Sequence, residues 1–165
     1  MQSVAPWHDA GQGEIDHIDA TQCMGSASSI ALGIALARPD RKVMVLDGDG
    51  SLLMQLGSLV TIAGAAPANL YHFVFANGLH QSTGNQPLPA QGVLDWCAMA
   101  SAAGYRKAVR IEEAEDLIEQ LPGIWATDGP VLVELVIARE EGEPRWAGVP
   151  MAGQVVALKE RLAAG

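Results

Sequence analysis

Asp49 stands between two glycines, Gly48 and Gly50, directly ahead of Ser51, and Asn77 follows 28 positions later, ahead of Gly78, Leu79 and His80. Carboxylate and amide oxygens are hard donors of the kind Mg²⁺ takes into an octahedral shell. The stretch Asp47-Gly48-Asp49-Gly50-Ser51 opens a helical pattern. Free backbone N–H groups and the positive end of a helix dipole therefore face a ligand there, and the glycines let main chain approach it closely. That is an anion site. Neither loop holds a Lys or Arg to neutralise a diphosphate, and Asp49 repels one. A divalent cation joining carboxylate to phosphate resolves the conflict. Each motif alone also reads as a turn: Gly48-Asp49-Gly50 as one whose Asp caps a helix, Asn77-Gly78 as a plain one. The third glycine of a dinucleotide fingerprint is missing, and there is no P-loop.

The elements that must position these residues follow from the apolar pattern. Ser26–Ala37 predicts a buried helix that stops before Pro39, and Lys42–Leu46 a strand buried on both faces. With Ser51 as N-cap, Leu52, Leu53, Leu56, Leu59, Val60 and Ala63 recur at helical spacing until Gly64 and Pro67. Leu70–Ala76 predicts the next strand, and the polar stretch Gln81–Gln91 is long enough to be functional. Further on, helices are expected over Val93–Ala103, Glu112–Leu121 and Gln154–Ala164, with strands at Lys107–Ile111 and Pro130–Ile137. Strands alternating with helices predict a three-layer α/β/α fold with a mostly parallel sheet, in which ligands sit beyond the carboxyl ends of the strands. The two loops lie at such ends.

The chain of 165 residues is expected to be one domain, with 1–20 as a lead segment and 140–165 as a C-terminal extension. Its net charge of −9 and the lack of a basic run exclude nucleic acid as a partner. No apolar stretch approaches the roughly 20 residues of a bilayer span, and no signal segment opens the chain, so a cytoplasmic protein is expected. Cys23 and Cys97 stand far apart without CxxC spacing and read as reduced, buried thiols.

Gly48-Asp49-Gly50-Ser51 followed by Asn77 resembles the thiamine diphosphate motif in the pyrophosphate-binding domain of thiamin-dependent enzymes, and Cys23-Met24-Gly25-Ser26-Ala27 is similar to their Met-Gly segment. The resemblance covers about residues 20–138, and Gly48–Gly57 and Asn77–Pro87 are similar to segments of the small subunits of sulfopyruvate and phosphonopyruvate decarboxylases. It implies that Asp49 and Asn77 bind Mg²⁺ through their side chains and Leu79 through its backbone carbonyl. Gly48, Gly50 and Ser51 would hold the diphosphate with main chain around Gly78 and His80. Met24 would prop the thiazolium, and the carbonyl of Gln22 would accept from the 4′-amino group. Without the resemblance, Met24 is a core methionine.

In this family the cofactor's ylid attacks a ketone, and the thiazolium takes up the electrons released on decarboxylation. A glutamate that promotes ylid formation comes from a separate pyrimidine-binding domain, and Glu14 lies too near the start to serve. The implied protein is the small subunit of a hetero-oligomeric 2-oxoacid decarboxylase, completed by a pyrimidine-binding (alpha) subunit. A carboligase or lyase of the acetolactate synthase type, or a non-catalytic cofactor-binding module, are the alternatives. His80 either relays a proton as the catalytic residue of this chain or merely packs. Ser82, Thr83 and Gly84 either meet a substrate anion or form a solvated loop. His8 and His17 read as surface or interface residues and His72 as structural. Arg139, Arg145 and Trp146 belong to a lid or to a solvated tail. The decarboxylases usually carry Gly-Gly-Gln where this chain has Gly84-Asn85-Gln86, and commonly an acidic residue where Gln81 stands, which bears on the substrate and not on the cofactor site.

Overall fold

The computed structural model describes residues 4–11, 16–90, 92–139 and 150–164. Along the chain these form α1 (Val4–Gly11), α2 (Ala27–Ala37), β1 (Val43–Gly48), α3 (Asp49–Met54), α4 (Ser58–Ala65), β2 (Leu70–Ala76), β3 (Leu79–His80), β4 (Gln86–Pro87), α5 (Trp96–Ala103), β5 (Lys107–Ile111), α6 (Ala114–Ala126), β6 (Val131–Val136) and α7 (Met151–Ala164). A 3₁₀ turn, Gln81–Thr83, lies between β3 and β4.

The four long strands form one parallel sheet in the order β1-β2-β6-β5, while β3 and β4 make a separate antiparallel hairpin. Because side chains alternate across a strand, one face of the sheet carries Val45, Leu70, Val74 and Leu132, which pack on Leu32 and Ala35 of α2, Leu59 and Ile62 of α4, and Trp96 and Ala100 of α5. The opposite face carries Tyr71, Phe73, Val131 and Val133, packed on Ile124 of α6. Helices on both faces of a parallel sheet make the predicted three-layer α/β/α arrangement. No helix of the described residues is long and apolar enough to cross a membrane.

Several boundaries differ from the sequence reading. The helix expected from Ser51 to Ala63 is two helices, broken at Gln55-Leu56-Gly57. Glycine weakens a helix interior, and the break turns Ser58 inward, where its hydroxyl meets that of Ser28 at 3.0 Å. Ser51 is not the N-cap. That place falls to Gly48, in extended conformation, so Ser51 sits within the first turn of α3. Helix α5 starts at Trp96, capped by Asp95, whose side chain accepts from Ala98 N at 2.7 Å. Helix α6 continues through Pro122 to Ala126, past the expected stop at Leu121. Burial of Ile124 against the sheet outweighs the lost backbone bond there.

Candidate functional site

Parallel pairing of β1 with β2 sets Gly48 beside Phe75, so the chain leaves both strands at the same edge of the sheet. Asp49 is the first residue of α3 and Asn77 the first beyond β2. The buried Asp49 carboxylate ties the two loops together: Oδ2 accepts from Gly78 N at 2.7 Å and Oδ1 from Gly50 N at 2.8 Å. Gly78, with φ +73, takes a backbone conformation that glycine adopts freely. Asn77 Oδ1 accepts from Leu79 N at 2.9 Å, while its Nδ2 donates to Gln81 Oε1 at 2.7 Å. The loops that carry Asp49 and Asn77 are thus joined by the Gly78 N bond to the Asp49 carboxylate.

Gly50 closes the site from below. A Cβ at that position would lie 2.7 Å from His80 Nδ1 and 3.2 Å from the Leu79 carbonyl oxygen. The Leu79 carbonyl and the His80 imidazole therefore sit directly on the α3 N-terminus, beside Asp49. Burial pushes the Asp49 carboxyl above its ordinary value; backbone N–H groups of Gly78, Gly50 and Asn77 and the charge of His80 oppose this without cancelling it. A buried carboxylate that its own hydrogen bonds do not fully stabilise, with a carbonyl and an amide oxygen at hand, is a donor set that suits a hard divalent cation.

The segment before α2 is tied to the same loop. Ser51 Oγ accepts from Gly25 N at 2.9 Å. Gly25 has φ +81, and a Cβ there would come within 3.3 Å of Met54 Cβ, so the turn bearing Met24 lies close against α3. A cavity of about 630 Å³ opens beside these loops and runs along edge strand β1 between α2 and α7. Met24, Gly48, Asp49, Gly50, Ser51, Asn77, Leu79 and His80 line it; Gln22 and Gly78 do not, and Gln22 is exposed.

The other expected residues are dispersed. Ser82 lines the cavity, whereas Thr83 and Gly84 are exposed and lie outside its lining. His17 is exposed at the cavity wall and Arg139 is exposed away from it. The side chain of His8 and the whole of Glu14, Gln91, Arg145 and Trp146 lie outside the described residues. Cys23 and Cys97 are free thiols, half-buried rather than fully buried.

Beneath the loop lies a pair that the sequence reading did not join, although it read His72 as structural. Asp47, at the carboxyl end of β1, and His72, in β2, are both buried, with Asp47 Oδ2 3.4 Å from His72 Nε2. His72 Nδ1 lies 3.4 Å from the hydroxyl of buried Tyr105. Burial pushes the Asp47 carboxyl up, but His72, the Ser51 hydroxyl and Gly48 N–H together hold it below its ordinary value. A His inside an apolar strand, two registers from an Asp at the end of its neighbour, is the signal that could have found this pair. A second cluster, Asp95, Cys97 and Glu134, brings potential ligand atoms within 4.8 Å of one another. Asp95 is occupied as the α5 cap and Glu134 faces the Arg110 guanidinium at 3.5 Å.

Comparison with known proteins bears on this geometry. The family described as thiamine pyrophosphate enzyme, C-terminal TPP binding domain, matches residues 7–135. The chain is 48% identical over 121 residues to a phosphonopyruvate decarboxylase of Streptomyces hygroscopicus, covering 73% of this chain and 30% of that protein. It is 43% identical over 129 residues to the sulfopyruvate decarboxylase subunit beta of Methanothermobacter thermautotrophicus, covering 78% of this chain and 63% of that subunit. It thus spans less than two thirds of either relative. Among solved structures, a protein from Mycobacterium smegmatis described as a thiamin diphosphate-dependent enzyme superposes with a TM-score of 0.60 at 26% identity, covering 71% of this chain and 22% of the other.

Proposed function

The chain belongs to the thiamine pyrophosphate enzymes, as a C-terminal TPP binding domain, and on that premise we propose that it is the small subunit of a Mg²⁺-dependent 2-oxoacid decarboxylase of the phosphonopyruvate or sulfopyruvate type. The single observation that carries the reading is the bond from Gly78 N to Asp49 Oδ2 at 2.7 Å, which joins the two loops at one point. Asp49 and Asn77 side chains and the Leu79 carbonyl hold Mg²⁺. Main-chain N–H groups at the start of α3, from Gly50 and Ser51, hold the diphosphate together with those around Gly78 and His80. Met24 supports the ring system, the Gln22 carbonyl binds the amino group, and the His80 imidazole moves a proton.

Thiamine diphosphate supplies a carbanion nucleophile and an electron sink. The reaction is the non-oxidative loss of CO₂ from a short 2-oxoacid: the carbonyl carbon gives up its carboxylate as CO₂ and takes a proton, leaving an aldehyde. The names of the two relatives support this substrate class. A pyrimidine-binding (alpha) subunit contributes the activating glutamate, and the assembly is a cytoplasmic hetero-oligomer; the "subunit beta" in one relative's name supports a second subunit. We read residues 1–165 as one domain, with 1–20 as lead and 140–165 as extension.

The test is to co-express the chain with its candidate partner and supply thiamine diphosphate, Mg²⁺ and phosphonopyruvate or sulfopyruvate. CO₂ and the matching aldehyde are expected as products. Carbon–carbon bond formation without aldehyde overturns the decarboxylase in favour of a carboligase, and an absence of any turnover favours a non-catalytic module.

A further inference from the structure

We propose that Gln81 is a positioning residue that fixes which end of the Asn77 side-chain amide is offered to the cation; the inference rests on the metal reading above. A side-chain amide has two nearly isosteric ends. Its oxygen carries lone pairs, and its NH₂ carries only donors and cannot ligate a cation. Asparagine is therefore a usable ligand only where its surroundings choose the orientation.

Two bonds choose it here. Asn77 Oδ1 accepts from Leu79 N at 2.9 Å within the same turn, which leaves that oxygen a second lone pair. Asn77 Nδ2 donates to Gln81 Oε1 at 2.7 Å. A flipped Asn77 would set NH₂ against the Leu79 N–H, which cannot reverse, and oxygen against the Gln81 oxygen, so the flip costs both bonds unless the Gln81 amide turns with it.

The Gln81 main chain is placed by an element with pairing of its own. Gln81 opens the 3₁₀ turn at the tip of the β3–β4 hairpin. That hairpin pairs Leu79 with Pro87 and His80 with Gln86, and it is closed by Asn85 N on His80 O at 3.1 Å and Leu88 N on Gly78 O at 2.9 Å. Gln81 and Ser82 both line the cavity, so the element that orients the amide also borders the space a substrate enters. The sequence resemblance absorbed Asn77 and left Gln81 only as a departure from an acidic norm; an acidic side chain offers the same acceptor.

The experiment measures Mn²⁺ binding to the chain co-expressed with its candidate partner, in the presence of thiamine diphosphate, by electron paramagnetic resonance. Removing a partner that orients a metal ligand weakens affinity by about tenfold or more. Gln81→Leu, which lacks the acceptor, should bind Mn²⁺ about tenfold more weakly, and Gln81→Glu, which keeps it, should bind at least as tightly as the parent. With Asn77→Asp both terminal atoms are oxygens and there is no orientation to choose. On that background Gln81→Leu should cost less than about twofold. Unchanged Mn²⁺ affinity in Gln81→Leu overturns the inference alone. An equal loss on both backgrounds also overturns it, because the effect then belongs to the hairpin's structure. If the parent assembly takes up no Mn²⁺ with the cofactor, the metal reading falls and the inference with it.

Discussion

Asp47 Oδ2 faces His72 Nε2 across 3.4 Å at the boundary between β1 and β2, with neither side chain open to solvent. Among the described residues no hydrogen bond reaches those two atoms, which leaves each the other's nearest charge partner. His72 is the largest of the stabilising influences on the Asp47 carboxylate, ahead of the Ser51 hydroxyl and Gly48 N–H. Replacing His72 by Leu would strand a buried carboxylate under the loop and should lower unfolding free energy by about 3–5 kcal/mol, read from urea denaturation.

The same pair sets an acid limb. The Asp47 carboxyl lies below its ordinary value in the fold. Its stabilising contribution is therefore complete above the ordinary carboxylate range and is lost as pH falls through the lowered value. As pH falls from about 5 through that lowered value, the parent should lose stability that Asp47→Asn does not lose. Parallel stability-versus-pH curves for the two would contradict the pairing.

Asp49→Ala removes the carboxylate that joins the loops without opening core volume. It should abolish Mg²⁺-dependent binding of thiamine diphosphate while the protein stays folded, at a cost of about 1–3 kcal/mol for the stranded N–H groups. Calorimetric titration checks the first, thermal melting the second. Asn77→Ala should act more mildly, since an amide carries no charge. Because the Asp49 carboxyl is raised by burial, a proton competes with the cation. Affinity for Mg²⁺ should fall by about tenfold per pH unit below that raised value, and pH-independent binding would exclude Asp49 as a ligand.

Gly50→Ala tests the cradle. The added methyl would press on His80 Nδ1 at 2.7 Å and the Leu79 carbonyl at 3.2 Å. The imidazole can swing aside, but the carbonyl is main chain. Cofactor affinity should fall by at least about tenfold, with a stability cost of about 1–3 kcal/mol. Wild-type affinity would show that the loops need not approach so closely.

Cys97 should be a poor nucleophile. Burial, then the charge of Glu134, push its thiol up to about 11. Iodoacetamide labelling of folded protein, followed by mass spectrometry, should stay slow at neutral pH and accelerate only toward that value. Fast labelling at neutral pH would mean the thiol is not held beside Glu134.

Much of this was readable along the chain. The four strands were visible as apolar runs because a parallel sheet covered on both faces demands them. The loops could be named because strand ends in such a sheet are where ligands bind. The break at Gly57 and the passage of α6 through Pro122 were not visible, since in each a tertiary contact, Ser58 with Ser28 and Ile124 with the sheet, overrode local preference. Ser51 was misplaced as the cap for a related reason: the helix starts where β1 ends, at Gly48, and that junction is set by pairing with β2.

Residue types were enough to single out Asp49 and Asn77 as candidate donors among glycines, because ligand chemistry and turn preference belong to residue types, whereas Leu79 entered through the family resemblance. What folding alone could settle is who holds those donors. Asp47 with His72, Ser51 with Gly25 and Asn77 with Gln81 are orientations and distances. The first two pairs are distant in the chain, so their bonds exist only once β1 and β2 are side by side and the Met24 turn has closed on α3. The third spans four residues, yet the direction of an amide is fixed only when the hairpin that carries its partner has formed.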